Sequence, residues 1–521
     1  MPKAKRSPTA LPKDATKGQR EAFSDLVRFC AGSETGPATQ ILSGYAGTGK
    51  TWLIGHLVGA CRARRLRIAV CAPTHKAVSV IAAKLKESGA TPTWIGTLHA
   101  LLGLKLKEGP DGTMQLELDR NPKGIYFEDY DVAVIDEASM VGLTLLGFIE
   151  RFSRGGRPRI VYVGDPGQLL PVEPEAASDP NGLAGLDIPA HGRGHEPPIF
   201  GLVPTRYHLA EVVRQKSTGR VHPIVQFAQE IRRYIEGETD GVFHLVAIQA
   251  YVTAHSDVLG GAVRLARGAD IGAGAVSLRR RRPKKDIRVV AWRNRVVDTH
   301  NRFIHQGLAS LHEIDETMPT FAAPFWPGEI LVAREALFGF RPTARILECD
   351  AKVWERALAA NAASEGDQGH SGGRRDDVTN LVPNNTELIV QLCEPMPHPY
   401  LDIASWRIVA QMPDGEAVEF FVADDPRDHQ QLTRRTWDSY RSARRRTSQD
   451  FQQAWAVTRA CAPVMHAYAM TAHKAQGSTF HYALVDVADL YGMVKVSGAE
   501  DYHRALYVAV TRASERVWLC I

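Results

Sequence analysis

The chain has 521 residues, 44% of them hydrophobic, which is enough apolar mass for three or four packed domains. Its formal net charge of +5 allows a polyanionic partner without requiring one. No apolar run reaches membrane-spanning length, and the basic opening Met1-Pro2-Lys3-Ala4-Lys5-Arg6 lacks the apolar stretch of a secretory signal. Seven cysteines without a C-x-x-C pair argue against a disulfide framework or a zinc ribbon, so the expected setting is the cytoplasm.

Residues 1–15 are basic and proline-containing and read as a disordered tail. A helix is expected next, with Ala22-Phe23 and Leu26-Val27 at helical spacing and Gln19 near its start. A short apolar run ending Ile41-Leu42-Ser43 leads into Gly44-Tyr45-Ala46-Gly47-Thr48-Gly49-Lys50-Thr51, and Trp52 to Val58 then has helical apolar spacing. The octapeptide fits G-x-x-x-x-G-K-[ST], and strand, glycine loop and helix are the context that motif needs. Successive backbone N–H groups of such a loop point inward, and the helix N-terminus adds partial positive charge. Lys50 is then placed to reach the β- and γ-phosphates of a nucleotide, and the Thr51 hydroxyl to hold Mg²⁺.

Arg67 to Ala72 reads as a buried strand ending in Pro73-Thr74-His75-Lys76, followed by a helix from Ala77 to about Ser88 and the polar loop Gly96-Thr97-Leu98-His99. Leu104 to Leu118 alternates on both sides of Gly109-Pro110-Asp111-Gly112, the signature of a β-hairpin. Asp131 to Ile135 is an apolar strand delivering Asp136-Glu137-Ala138-Ser139, and Arg159 to Val163 another delivering Gly164-Asp165-Pro166-Gly167-Gln168. Apolar strands alternating with helices, each ending in polar residues, describe a parallel sheet with ligands along its carboxyl edge. In that setting Asp136 supports Mg²⁺ and Glu137 orients or deprotonates an attacking water. Gln168 reads either as a γ-phosphate neighbour or as a turn glutamine. Glu173 to Pro198 reads as a long surface loop.

A second strand–helix series begins at Ile287 to Trp292, continues through Asn301-Arg302-Phe303-Ile304, resumes at Val464 to Met470 and Tyr482 to Val487, and closes on Arg516 to Leu519. Residues 326–461 between these pieces look like an insertion with short strands at Glu387 to Leu392, Trp406 to Gln411 and Ala417 to Val422. Gly366 to Arg375 within it reads as a disordered loop. Arg214 and Arg512 are candidate arginine fingers, because developing charge on a transferring phosphoryl group favours planar guanidinium groups. Thr471-Ala472-His473-Lys474-Ala475-Gln476-Gly477-Ser478-Thr479 is dense in donors, as are the Pro73 and Gly96 loops, and such loops suit sugar-phosphate contacts. The tract Arg279-Arg280-Arg281-Arg282-Pro283-Lys284-Lys285 reads as a nucleic-acid patch or a solvated flexible loop.

Taken in order, these segments resemble a superfamily 1 DNA helicase of the 5′-to-3′ branch, which includes the phage Dda and bacterial RecD-like enzymes. Gly44–Thr51 is similar to motif I, Ala72–Val78 to motif Ia, Gly96–His99 to motif Ib and Asp136–Ser139 to motif II. Gly164–Val172 matches motif III, Leu209–Gln215 motif IV, Met470–Thr479 motif V and Ala505–Ala513 motif VI. The resemblance implies an α/β fold: a first RecA-like domain over 16–95 and 122–212, with a pin insertion at 96–121. It places a second RecA-like domain at 213–325 and 462–521, and an SH3-like β insertion at 326–461. It implies ATP and Mg²⁺ held by Gly44, Ala46, Gly47, Thr48, Gly49, Lys50, Thr51 and Asp136, with Gln19 reading adenine. Glu137, Gln168 and Arg214 join that site, and Gln476, Gly477 and Arg512 approach it from the second domain. Pro73, Thr74, His75, Lys76, Thr97, His99, Thr471, His473 and Lys474 map to a single-stranded DNA track. The pin tip, Glu108 to Gly112, has no aromatic residue to stack on a splitting base pair.

The function so implied is an ATP-driven 5′-to-3′ translocase acting on single-stranded and forked duplex DNA in replication, repair or recombination. It is expected to be a monomer with no membrane partner, working beside a single-strand-binding protein or other replication and recombination proteins. Two alternatives stand beside it: a nucleotide-gated DNA-binding or remodelling module that does not unwind, and an RNA helicase. No aromatic base-stacking platform favours the latter.

Overall fold

In the computed structural model the chain separates into two units, one of residues 1–275, 282–297 and 470–521, the other of residues 276–281 and 298–469. The structure describes residues 11–12, 15–32, 38–108, 114–118, 127–153, 157–171, 197–203, 205–211, 222–309, 323–335, 337–340, 379–413, 415–443 and 447–521. The expected tail at 1–15 lies almost wholly outside the described residues. So do Arg214, most of the Glu173–Pro198 stretch and the Gly366–Arg375 loop.

The first unit holds a six-stranded parallel sheet. Its strands are β1 (Thr39–Gly44), β2 (Ile68–Ala72), β3 (Trp94–Thr97), β6 (Val132–Ile135), β7 (Arg159–Gly164) and β8 (Thr205–Leu209), in the order β3-β2-β6-β7-β1-β8. The central strands are continuous apolar runs because helices cover both faces of the sheet. Alternate residues enter two separate cores. Ala133, Ile135, Ile160 and Tyr162 pack with Leu98 and Phe148, whereas Val132, Val134, Val161 and Val163 pack with Leu26, Leu53 and Leu57. Between β3 and β6 the predicted hairpin forms from β4 (Leu104–Glu108) and β5 (Met114–Leu118), paired antiparallel from Leu104–Leu118 to Glu108–Met114.

The same unit contains a five-stranded sheet in the order Ala469–Thr471, Ile287–Ala291, Phe480–Asp486, Ala513–Cys520, Val263–Ala266. Its last four strands pair in parallel. The helix Ala499–Thr511 is buried from Tyr502 to Val510 and packs in one core with Ile224, Phe227 and Ile231 of the helix Pro223–Ile235.

Residues 236–285 are largely regular: helices Leu245–Ala254, Ser256–Leu259 and Ile271–Arg281 flank the strand Val263–Ala266. Its scattered glycines and charges mask an apolar set, Ile248, Val252, Leu259 and Val263, that enters the core. The basic tract is corrected, since Arg279–Arg281 end a helix rather than sit in a flexible loop. Arg280 donates to Gly307 O at 2.6 Å, the Arg279 guanidinium lies over the Tyr468 ring, and Lys285 pairs with Glu515 at 2.5 Å.

The second unit is built on a seven-stranded antiparallel sheet in the order Thr379–Val382, Leu337–Phe340, Ala417–Ala423, Ala404–Gln411, Glu387–Pro397, Ile330–Ala333, Val464–His466. Leu331, Leu388, Val390, Trp406, Ile408 and Phe420 form its core. Two helices not expected from the sequence follow, Pro426–Ser442 and Ser448–Arg459. Asp425 caps the first with Pro426 at its opening position, and Thr447 with Asp450 forms a capping box on the second. No helix among the described residues is long and apolar enough to cross a membrane.

Candidate nucleotide and nucleic-acid site

The glycine loop follows β1 and opens the helix Lys50–Ala63 as expected. Gly47 and Gly49 sit at φ +85° and +86°, in the left-handed region where a side chain is strained. A β-carbon on Gly49 would also stand 2.7 Å from Gln19 Nε2. Gln19 is buried against the loop, donating Nε2–H to Thr48 O at 2.9 Å while its Oε1 accepts from Thr16 N–H. The Thr48 hydroxyl donates to Tyr45 O at 2.9 Å. Lys50 folds back over the loop, donating from Nζ to Gly44 O at 2.6 Å and Tyr45 O at 3.0 Å. Thr51 lies half-buried in the helix's first turn.

Asp136 and Glu137 leave the end of β6 next to this loop. Asp136 is buried, and its carboxyl rises from 3.8 to about 7. Burial is the main cause and the Glu137 charge adds to it, against the opposing pull of the Glu137 N–H hydrogen bond and of Lys50. Glu137 N–H donates to Asp136 Oδ1 at 2.9 Å, and Glu137 holds φ +53° and ψ 44°, a left-handed conformation uncommon outside glycine. The chain turns sharply at the residue assigned to water activation.

The second sheet brings further groups to the same place. Gly477, at φ +73°, approaches Glu137 so closely that a β-carbon would lie 3.9 Å from Oε1. Gln476 and Gln168 are both buried, and among the described residues Gln476 Nε2 and Gln168 Oε1 have no hydrogen-bond partner; the same is true of the Ser139 and Ser478 hydroxyls. Buried polar atoms without partners are costly, so these four groups suit a polar ligand and its waters. A loop of inward N–H groups with Lys50, and the oxygen donors Thr51 and Asp136, also fit a nucleotide triphosphate with Mg²⁺. Arg512 is buried and bonds Val508 O, Ser478 O and Thr511 Oγ1 at 3.3–3.4 Å, long contacts that a phosphate could replace.

Three groups unremarked in the sequence complete the region. Tyr507 donates to Asp165 Oδ2 and accepts from Ala46 N–H. Arg504, 1% exposed, donates to the carbonyls of Pro166 and Gln168 while pairing with Glu500 at 2.9 Å. Arg232 lies over the Tyr45 ring and pairs with Glu236 at 2.7 Å, and Arg232 and Tyr45 line a cleft beside the P-loop with Ala46, Ile224, Ala228 and Tyr507. Their sequence signal is faint: an arginine and a tyrosine spaced along an otherwise apolar helix.

The candidate nucleic-acid loops share one construction. Thr97 and Thr471 end strands, Thr74 lies two residues past one, and each caps the next helix, their hydroxyl oxygens accepting from the N–H groups of Ala77, Ala100 and Lys474 at 3.2–3.3 Å. Each hydroxyl keeps its own proton to donate. Parallel register places Ala72 beside Thr97, bringing Pro73, Thr74, His75 and Lys76 next to His99. Burial lowers the pKa of His75, His99 and His473, and His75 is lowered further by His99, so all three are neutral donors and acceptors at neutral pH.

A phosphate loop and an acidic pair on one parallel sheet, with residues of a second sheet beside them, define a RecA-like P-loop fold. Residues 31–174 match the AAA domain family model and residues 466–520 the UvrD-like helicase C-terminal domain model. Both matches, in this order along the chain, support a helicase of the superfamily 1 type. It is 33% identical over 165 residues to the ATP-dependent RecD2 DNA helicase of Deinococcus radiodurans, across 32% of this chain and 20% of that protein. It is 28% identical over 252 residues to the RecBCD enzyme subunit RecD of Mycobacterium tuberculosis, across 46% of this chain and 41% of that protein. The chain thus spans well under two thirds of these two relatives. Among solved structures, Pif1 helicase from Bacteroides with ADP-AlF3 and ssDNA aligns at 15% identity and TM-score 0.45, over 97% of this chain and 92% of that one.

Proposed function

We propose that this protein is an ATP-dependent DNA helicase that moves 5′ to 3′ along single-stranded DNA and separates the strands of forked duplexes. The observation that carries the reading is the grip of the helix Ala499–Thr511 on the other sheet. Tyr507 bonds the P-loop and Asp165, and Arg504 bonds the two carbonyls flanking Gly167. A change at the phosphate loop is thereby felt by the second sheet, which is what a motor requires.

Mg-ATP supplies the phosphoryl group whose hydrolysis drives the cycle. The backbone N–H groups of Gly44 to Gly49 receive phosphate oxygens, and Lys50 exchanges its two loop carbonyls for them. Thr51 and Asp136 would hold Mg²⁺. Glu137 orients the attacking water and takes its proton, with Gln168 beside it, while Arg512 and Gln476 stabilise charge from the second sheet and Arg214 is assigned the same role. Gln19 reads the adenine edge. The three threonine-capped loops, with His75, Lys76, His99, His473 and Lys474, hold the sugar-phosphate backbone, and alternating grip by loops on the two sheets ratchets the strand. The hairpin β4–β5 acts as the separating pin. Polarity follows the branch that the motif order resembles, and the RecD2 and RecD relatives support the DNA substrate. A monomer acting beside a single-strand-binding protein is the arrangement we favour.

Lys50→Ala tests the reading. It is expected to abolish single-strand-stimulated ATPase activity while leaving single-strand binding within about threefold of wild type. Full ATPase activity in that variant contradicts it.

A further inference from the structure

In the second unit, three side chains from separate segments converge on one point. They are His305 in the helix Asn294–Leu308, Glu329 in the turn before the strand Ile330–Ala333, and His466 at the end of the strand Val464–His466. His305 and His466 lie outside the motifs assigned to the nucleotide and DNA sites, and Glu329 ends the segment Pro327-Gly328-Glu329. Glu329 Oε1 accepts from His305 Nδ1 at 3.3 Å and from His466 Nδ1 at 2.5 Å, and the three ligand-type atoms all lie within 4.8 Å of one another. Their side chains are 13%, 2% and 15% exposed for His305, Glu329 and His466.

The surroundings hold these groups in place. Glu329 Oε2 accepts from Trp326 N–H at 3.1 Å, which fixes the carboxylate plane. Trp326 stacks on His305 with ring centres 3.7 Å apart and planes 12° apart, while Phe325 and Tyr468 pack on His466 at 5.0 Å and 5.8 Å. Aromatic walls that set both imidazole planes, with a carboxylate held by a second bond, are how proteins preorganise a ligand set.

We propose that His305, Glu329 and His466 form a site for a divalent transition ion, Zn²⁺ by ligand chemistry, with water as fourth ligand. Two imidazoles and a carboxylate are borderline donors that suit zinc, whereas Mg²⁺ takes oxygen. Bonds of about 2.0–2.1 Å at tetrahedral angles set ligand atoms about 3.3–3.4 Å apart. The His305–Glu329 pair already has that spacing, and His466 has to withdraw by under about 1 Å. Binding requires each Nδ1 to be free of hydrogen, so the ring's remaining proton sits on Nε2 in the bound form. The ion would clasp the helix Asn294–Leu308 to the sheet's last strand, a structural role separate from the proposed nucleotide chemistry.

The experiment uses the full chain, stripped with a chelator and dialysed, without nucleotide. Metal content after Zn²⁺ loading, competition titration and the visible absorption of the Co²⁺ form are read for wild type, Glu329→Gln and His466→Gln. One equivalent of zinc, a four-coordinate Co²⁺ spectrum and affinity at least about a hundredfold weaker in both variants are expected. Wild type should also melt at a lower temperature in chelator, with no such shift in the variants. No stoichiometric zinc in wild type overturns the site, as does retention of the equivalent by variants with a cooperative melt. If the variants do not fold, wild-type stoichiometry and the Co²⁺ spectrum decide alone, since a six-coordinate oxygen spectrum is incompatible with this ligand set.

Discussion

Tyr507 donates its phenolic hydrogen to Asp165 Oδ2 across 2.9 Å, and the Tyr507 hydroxyl oxygen accepts the Ala46 N–H at 3.3 Å. Both side chains are almost wholly buried. Asp165 spends its other oxygen on Gly167 N–H at 3.0 Å, inside the turn that delivers Gln168. One hydroxyl therefore joins the P-loop, that turn and the helix Ala499–Thr511. Burial drives the Tyr507 pKa well above its usual value, so the hydroxyl stays a donor across the working range.

Tyr507→Phe removes that donor and leaves a buried carboxylate oxygen without it, a loss of about 1–3 kcal/mol. Urea unfolding should show a loss of that size. Stimulated ATPase activity should fall at least about tenfold while single-strand binding holds. Unchanged turnover would remove the hydroxyl from the coupling.

Asp136 gives a pH test with a definite sign. Its folded pKa of about 7 lies above the ordinary 3.8, so the folded state holds a proton that the unfolded chain releases. That contribution is complete below about pH 4 and is lost as pH rises through 7, by about 1 kcal/mol between pH 6 and 8. Asp136→Asn keeps an acceptor for the Glu137 N–H but cannot ionise. Without nucleotide it should be more stable than wild type at pH 8 and lack this fall, yet hydrolyse no ATP. A parallel stability–pH curve for the two proteins would contradict the shift.

Gly49→Ala combines a left-handed residue with a β-carbon 2.7 Å from Gln19 Nε2. The conformation alone costs about 1–2 kcal/mol. Nucleotide affinity, read by equilibrium titration, should drop by at least about tenfold. Gly201→Ala is the matched control, because a β-carbon there meets nothing within 4 Å; comparable affinity in both variants would refute the loop geometry.

On the nucleic-acid side, Lys474→Ala should weaken single-strand binding and lower the slope of log K against log salt by about 0.7, the signature of one phosphate contact. Thr471→Val should weaken binding without changing that slope, since a hydroxyl carries no charge. Because burial lowers the pKa of His75, His99 and His473, affinity should stay flat from pH 8 to 6.5 and rise only on further acidification. A rise centred on 6.5 would mean that these rings titrate as exposed histidines.

What could be read in the sequence was local. The strand before Gly44, the octapeptide and the polar ends of β2, β6 and β7 announce themselves through apolar runs and glycine spacing, and each stands where expected. Pairings across hundreds of residues were not legible. Nothing near Tyr507 points to Asp165, and Arg504 in an apolar helix gives no hint that its partners are two carbonyls. The elements within residues 245–281 were not legible because glycines interrupt an apolar pattern that only the core reveals. The helices Pro426–Ser442 and Ser448–Arg459 carried capping signals, Asp425-Pro426 and Thr447 with Asp450, that were readable and passed over. Thr74, Thr97 and Thr471 were read as ligand contacts, and their work as helix caps was missed.

The central claim is directional strand separation driven by ATP. Two duplexes, one with a 5′ and one with a 3′ single-stranded tail, should be incubated with the protein, ATP and Mg²⁺, and strand release followed by fluorescence. Release from the 5′-tailed duplex alone, lost in Lys50→Ala, is the predicted result. Release from neither, with stimulated ATPase activity intact, would contradict the account and identify a module that binds DNA without opening it. Release from the 3′-tailed duplex alone would contradict the polarity.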